Sequence, residues 1–207
     1  MQKKTDKKEH IMSVSQKLFS EMGFEATSTR EIAKESGVNI AMIAYYFGSK
    51  EHLLEEIIHS KLESIKLNEE EIISNNRGAE QMLEKFVQAL IGKFIENSAF
   101  YNILHSELTI KQRVFSGEKY YAIKLHNDSI LEKIIRKGID EQVFSKNNNS
   151  KILQAFIIGP YVNVTLNKKY YMKELGYDTE EMFHQYIKAS FTKKLTKAII
   201  NLLKDKS

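Results

Sequence analysis

The stretch Thr27–Lys50, TSTREIAKESGVNIAMIAYYFGSK, decides the fold: it reads as two short helices joined by a glycine turn. Ser28 is followed three residues later by Glu31, the capping-box spacing. The Ser28 hydroxyl can accept the Glu31 backbone N–H while the carboxylate accepts the Ser28 N–H. A helix is therefore expected from Thr29, with Ile32 and Ala33 as its apolar residues. Gly37, lacking a Cβ, can take the left-handed conformation that ends a helix and turns the chain. Val38 is placed to plug the angle between the helices, and Ile43 and Phe47, one turn apart, give the second helix an apolar stripe. Its other face carries Asn39, Met42, Tyr45 and Tyr46, side chains that donate to phosphate or pack on base edges. That is the profile of a recognition helix.

The flanks fit this reading. From Glu9 to Met22 the apolar set Ile11, Val14, Leu18, Phe19 and Met22 follows a helical period that Gly23 ends, which supplies a supporting helix. Ahead of it Lys3, Lys4, Lys7 and Lys8 form a short basic arm, readable as a contact to DNA backbone or as a solvated, frayed terminus. Ser49 can cap a further helix whose first turn holds Lys50. A lysine there opposes the helix dipole, so helix stability does not explain it, whereas a phosphate at that N-terminus would. Leu53, Leu54, Ile57, Ile58, Leu62 and Ile65 make the helix a long amphipathic rod. His52 and His59 flank Glu55 and Glu56 on it, a combination that a polar helix face supplies by accident more often than as a metal site.

Composition narrows the classes. The 207 residues are 42% apolar, with one proline and nine glycines, which favours a nearly all-α globular chain. The net charge of +4 is compatible with a polyanionic partner without requiring one. Zero cysteines exclude disulfides and thiolate chemistry. Neither a signal peptide nor a membrane span is evident, so a cytoplasmic location is expected. No phosphate-cradling glycine loop, His-Glu-x-x-His or nucleophile elbow points to an enzyme, and nothing asks for a cofactor.

Beyond the rod, Ser74–Gly78 is the first clear loop, and the domain seam is expected there, dividing residues 1–70 from 71–207. Amphipathic helices follow around Met82–Ile95, over Phe100–Leu108 and from about Gly117 to Lys137, with Gly138 expected to close the last. After a loop at 146–150, the most apolar run in the chain, Ala155–Val162, should be buried in protein, with a kink or break at Pro160. Gly176 and the capping run at 178–181 precede a final helix with the stripe Phe183, Ile187, Phe191, Leu195, Ile199 and Leu202.

The string TSTREIAKESGVNIAMIAYYFGSKEHLL resembles the DNA-binding signature of the tetracycline-repressor (TetR) family of bacterial transcription regulators. The Thr-x-Arg-x-Ile-Ala opening, the Gly-Val turn, the Tyr-Phe pair and the Ser-Lys-Glu-x-Leu-Leu ending stand at the family's spacing. The resemblance implies an all-α fold of about nine helices: a three-helix DNA-binding domain with its helix-turn-helix at 28–47, a long connecting helix, and a C-terminal ligand-binding and dimerisation domain. It implies a homodimer through the last two helices on a palindromic operator. By motif matching, Thr29, Arg30, Tyr45, Tyr46 and Lys50 are expected at the DNA backbone, Arg30 also reaching a base. Asn39, Ile40, Ala41 and Met42 are expected at base edges. Ala44 departs from the family, where tyrosine is frequent, and removes one customary phosphate contact. The apolar leading turn favours thymine methyl groups and hence an A·T-rich operator.

The resemblance also implies a small-molecule effector that shifts the population away from the DNA-competent spacing of the two recognition helices, with repression the commoner outcome. Tyr101, His105, Tyr121, His126, Phe156 and Tyr161 are candidate pocket residues. An activator, or an architectural DNA-binding protein without an effector, is the alternative.

Overall fold

The computed structural model describes residues 2–107, 117–146 and 150–205; those residues are helices, turns and loops, with no strand among them. The end of the helix expected over Phe100–Leu108 and most of the loop expected at 146–150 fall outside them. The chain divides into two compact units, one of residues 1–65 with 97–121 and the other of 66–96 with 122–207.

The first unit holds α1 (Gln2–Met22), α2 (Thr29–Glu35), α3 (Ile40–Phe47), α4 (Lys50–Leu62) and α7 (Ser98–Ser106), with a 3₁₀ turn at Glu63–Ile65. The second holds α5 (Glu69–Ile72), α6 (Ala79–Glu96), α8 (Glu118–Asp140) from residue 122 onward, α9 (Ser150–Leu166), α10 (Lys168–Leu175), α11 (Glu180–Tyr186) and α12 (Thr192–Lys204). Helix α1 begins well before Glu9, so the lysine-rich segment is helical rather than an extended arm. Among the described residues no helix is long and apolar enough to cross a membrane.

In the first unit α1 packs on α2, α4 and α7. Ile11 and Phe19 are buried together with Ser15, whose hydroxyl returns a hydrogen bond to the Ile11 carbonyl at 2.7 Å. The small polar side chain is thus satisfied within its own helix. Leu53, Leu54, Ile57, Ile58 and Leu62 of α4 are buried, as their spacing predicts, and so are Phe100, Ile103 and Leu104 of α7. Lys8 is engaged inside this unit: its ammonium pairs with Glu56 at 2.9 Å. His52 lies 3.1 Å from Glu55, an exposed pair at adjacent-turn spacing.

In the second unit α6 supplies the central stripe, Met82, Leu83, Phe86, Val87, Leu90, Ile91 and Phe94, against α9 and α12. Three expectations change here. Gly138 does not end α8; it lies inside the helix, and a Cβ there would stand 2.0 Å from the Phe144 ring, so the glycine makes room for Phe144. Pro160 does not break α9, which continues to Leu166; it lies on the exposed side, where solvent can reach the Phe156 carbonyl its ring leaves unbonded. The run Ala155–Val162 is buried only on one face. Ile157 and Tyr161 are covered, while Phe156 is 49% exposed.

The last helix is not uniform either. A stripe spaced by fours drifts about 40° per step around an α-helix. A π turn at Ile187–Phe191, with Thr192 Oγ1 donating to the Ile187 carbonyl at 2.7 Å, winds less per residue and turns the stripe back. Phe183, Ile187, Leu195, Ile199 and Leu203 are buried as a result, and Leu202, expected in the seam, is 45% exposed. This helix therefore spends its apolar stripe inside its own chain.

Candidate nucleic-acid interface

The helix-turn-helix forms from the local signals that the sequence carries. Ser28 caps α2 with both arms of the box: the Glu31 N–H donates to Ser28 Oγ at 3.1 Å and the Ser28 N–H to Glu31 Oε2 at 2.8 Å. Those bonds hold the Glu31 carboxyl below the usual carboxylate range. Gly37 adopts φ +63°, and the Gly37 and Val38 N–H groups close onto the carbonyls of Lys34 and Ala33 at 3.2 and 3.0 Å. The chain thereby reverses without an unpaired amide at the turn.

Asn39 then caps α3. Its Oδ1 accepts the Ala41 N–H at 2.9 Å, and its carbonyl accepts the Met42 N–H at 2.8 Å. The side chain expected at a base edge thus has a structural task as well, and its Nδ2 hydrogens and the second lone pair of Oδ1 remain for another partner. Ile43 and Phe47 are each 2% exposed and anchor α3 to its unit. The opposite face is open: Ile40, Ala41, Ala44 and Tyr45 are exposed, and Tyr45 stands 68% accessible. Tyr46 is half-buried, edge-on to Tyr45 with ring centres 5.2 Å apart. Met42 is half-buried, Thr29 is half-buried at the start of α2, and Arg30 beside it is exposed.

Lys50, expected at the DNA backbone, also has a task within its own unit. Its ammonium points back into the unit, donating to the carbonyls of Phe24 and Thr27 at 2.8 and 2.9 Å and lying 4.2 Å from the centre of the Phe24 ring. Two of its three N–H donors are therefore spent holding the segment between α1 and α2 against the start of α4. Sequence periodicity carries no signal for such a contact, since neither carbonyl belongs to a side chain.

The six candidate pocket residues are divided between the two units. Tyr101, His105 and Tyr121 belong to the first unit, where His105 and Tyr121 are exposed. His126, Phe156 and Tyr161 belong to the second. His126 Nε2 lies 3.0 Å from the Leu67 carbonyl oxygen and so carries the proton of that bond. Phe156 and Tyr161 differ in burial on α9, one 49% and the other 6% exposed. Tyr161 packs on Phe94 with ring centres 5.2 Å apart, and burial pushes its phenol up to about 12. Sequence reading passed over Gln154 on the same buried face: it is 4% exposed, and its Nε2 has no hydrogen-bond partner. A lone glutamine inside an apolar run was the only available signal.

Comparison with known proteins agrees with this geometry. Residues 11–57 match the family described as bacterial regulatory proteins, tetR family. The chain is 26% identical over 181 residues to YerO of Bacillus subtilis, an uncharacterized HTH-type transcriptional regulator, covering 86% of this chain and 61% of YerO. It spans a similarly partial 53% of a second relative from the same organism. It is 24% identical over 165 residues to IcaR of Staphylococcus aureus, a negative transcriptional regulator of the biofilm operon icaADBC, covering 79% of this chain and 87% of IcaR. Among solved structures HlyIIR, a hemolysin II transcriptional regulator, superposes with a TM-score of 0.62 at 24% identity, covering 98% of this chain and 99% of that one.

Proposed function

Since residues 11–57 constitute a domain of the tetR family of bacterial regulatory proteins, we propose that the chain is a transcriptional repressor that binds a palindromic operator as a homodimer and leaves it when a small-molecule effector binds. The observation that carries the reading is the division of α3 into a buried anchor, Ile43 and Phe47, and an open face of Ile40, Ala41, Ala44 and Tyr45. A helix anchored on one side and bare on the other is what a major groove accepts. Arg30 and the tyrosines supply phosphate contacts beside it, and the apolar leading turn favours A·T pairs. A selected consensus dominated by G·C at the contacted positions would count against that preference.

Dimerisation is supported by α9 and α10. Ile152, Phe156, Leu166 and Tyr170 are 53, 49, 72 and 60% exposed and recur at helical spacing, with Gly159 and Asn163 between them. A Cβ at Gly159 would meet nothing within 4 Å, so the gap leaves room for a partner helix to approach. This face, together with the exposed Met182 and Leu202 of the final helical segment, is the proposed interface. An effector site within the second unit is supported by Gln154, because a buried amide without an acceptor costs stability unless a ligand supplies one.

The test is fluorescence anisotropy of the purified chain on labelled DNA flanking its own gene, across a salt series, beside Tyr45→Ala. Sequence-selective binding that weakens with salt and is reduced in the variant is expected. Equal binding to unrelated DNA by both proteins would rule the reading out.

A further inference from the structure

The outward side of α6 carries a feature that DNA binding does not use. Lys85, Gln88, Ala89, Gly92, Lys93 and Glu96 recur there at helical spacing, and a groove of about 530 Å³ lies between them and the segment from Lys66 to Arg77, with Lys188 of the π turn also lining it. That volume falls in the range of small-molecule sites. Five cations, Lys66, Arg77, Lys85, Lys93 and Lys188, line the groove against two carboxylates, Glu71 and Glu96. Glu71 already accepts from the Asn68 amide at 2.9 Å. None of Lys66, Lys85 and Lys188 is ion-paired or hydrogen-bonded to another described residue. Cations gathered around a concavity repel one another and raise its potential, which an anion relieves.

The wall opposite α6 is held in place. The Leu67 N–H donates to Asn127 Oδ1 at 3.0 Å, its carbonyl takes the His126 bond, and Arg77 donates to the Glu71 carbonyl at 2.7 Å. Leu67 and Ile72, each 2% exposed, give the groove an apolar component.

Gly92 is the telling residue. A glycine inside a helix is destabilising by about 1 kcal/mol relative to alanine. Nothing in the chain asks for it, because a Cβ built at Gly92 meets no atom within 4 Å. The missing side chain leaves space on the groove side of α6. We infer that this groove binds a phosphorylated small molecule, its phosphate held by Lys66, Lys85, Lys188 and Arg77 and a compact apolar part lying over Gly92 against Leu67 and Ile72. None of the six effector candidates lines this groove.

Isothermal titration calorimetry of the full chain tests it with three probes: phenyl phosphate, inorganic phosphate and phenol. Phenyl phosphate should bind saturably at one site per chain and weaken as salt rises. Inorganic phosphate should bind about tenfold more weakly, lacking the apolar part, and phenol not at all. Lys85→Gln with Lys188→Gln should lower phenyl phosphate affinity by roughly tenfold or more. Gly92→Leu should abolish it by filling the groove, and Gly92→Ala should weaken it while melting no lower than the wild type. Equal affinity for inorganic phosphate and phenyl phosphate would assign the site to the free ion and overturn the phosphomonoester. Absence of saturable binding, or binding unchanged in both Gly92→Leu and the double variant, would overturn the site itself.

Discussion

The Lys50 ammonium and the Phe24 main chain form a clasp: Nζ donates to the Phe24 carbonyl at 2.8 Å and lies 4.2 Å from the centre of the Phe24 ring. A second bond to the Thr27 carbonyl at 2.9 Å completes it. Removing the ammonium takes one donor from each of two partly buried carbonyls and loses a cation over an aromatic face. Lys50→Met is therefore expected to destabilise the first unit by about 1.5–3 kcal/mol, the range for hydrogen bonds to a charged group. Urea unfolding followed by tyrosine fluorescence measures it. A midpoint unchanged from wild type would show that the clasp adds nothing to the stability of the unit.

Gly37 tests the turn without touching packing. Its φ is +63°, and a Cβ there meets nothing within 4 Å, so any cost of Gly37→Ala is conformational. Left-handed backbone costs an L-residue roughly 1–2 kcal/mol. Gly37→Ala should shift the urea midpoint down by a corresponding amount at unchanged slope, and Gly37→Asn by distinctly less, because asparagine tolerates this region better. Equal losses for the two variants would point to a contact rather than to the backbone.

Asp128 offers a pH dependence with a definite sign. Burial pushes its carboxyl up from the ordinary 3.8, opposed by Lys124 4.0 Å away, and its Oδ1 is buried without a hydrogen-bond partner. A carboxyl with a raised folded pKa contributes stability that is fully present below the unfolded value and is lost as pH rises through the folded one. At neutral pH the ionised group therefore works against folding. Asp128→Asn should melt higher than wild type at pH 7, with the difference disappearing as both are taken toward pH 3. A difference that persists at acid pH would trace the effect to packing.

These cases mark how far the sequence could be read. The capping box at Ser28 and Glu31, the glycine turn and the α3 anchor were legible because each is a local pattern whose partners lie within a few residues. The Lys50 clasp spans 26 residues and ends on backbone, so no side-chain pattern announces it. Gly138 looks like a helix stop in sequence and is in fact a recess for Phe144, a contact that the turn after α8 creates by folding back. The final helix misled by one residue at its end because a π turn is invisible to a 3.6-residue period. The six effector candidates are aromatics and histidines at helical spacing, a pattern that core and surface residues share. That rule also passed over Gln154, whose distinction is a missing partner rather than a residue type.

The exposed stripe of α9 and α10 carries the last prediction. Phe156 and Leu166 are 49 and 72% exposed on a helix whose other face is already packed, so a charge placed there keeps access to solvent in a lone chain. If the stripe joins two chains, Phe156→Glu with Leu166→Glu sets four carboxylates into an apolar interface, each costly to desolvate. Sedimentation velocity should then find a single chain where the wild type sediments as two, with unchanged helical circular dichroism. The proposed operator has two half-sites, so a lone chain neutralises about half as many phosphates. The slope of log affinity against log salt should fall to roughly half, together with a loss of affinity for the full operator. A variant that remains paired would move the interface elsewhere. A wild type that sediments as a single chain would remove the basis for a two-fold operator, because only paired recognition helices can read successive grooves as one unit.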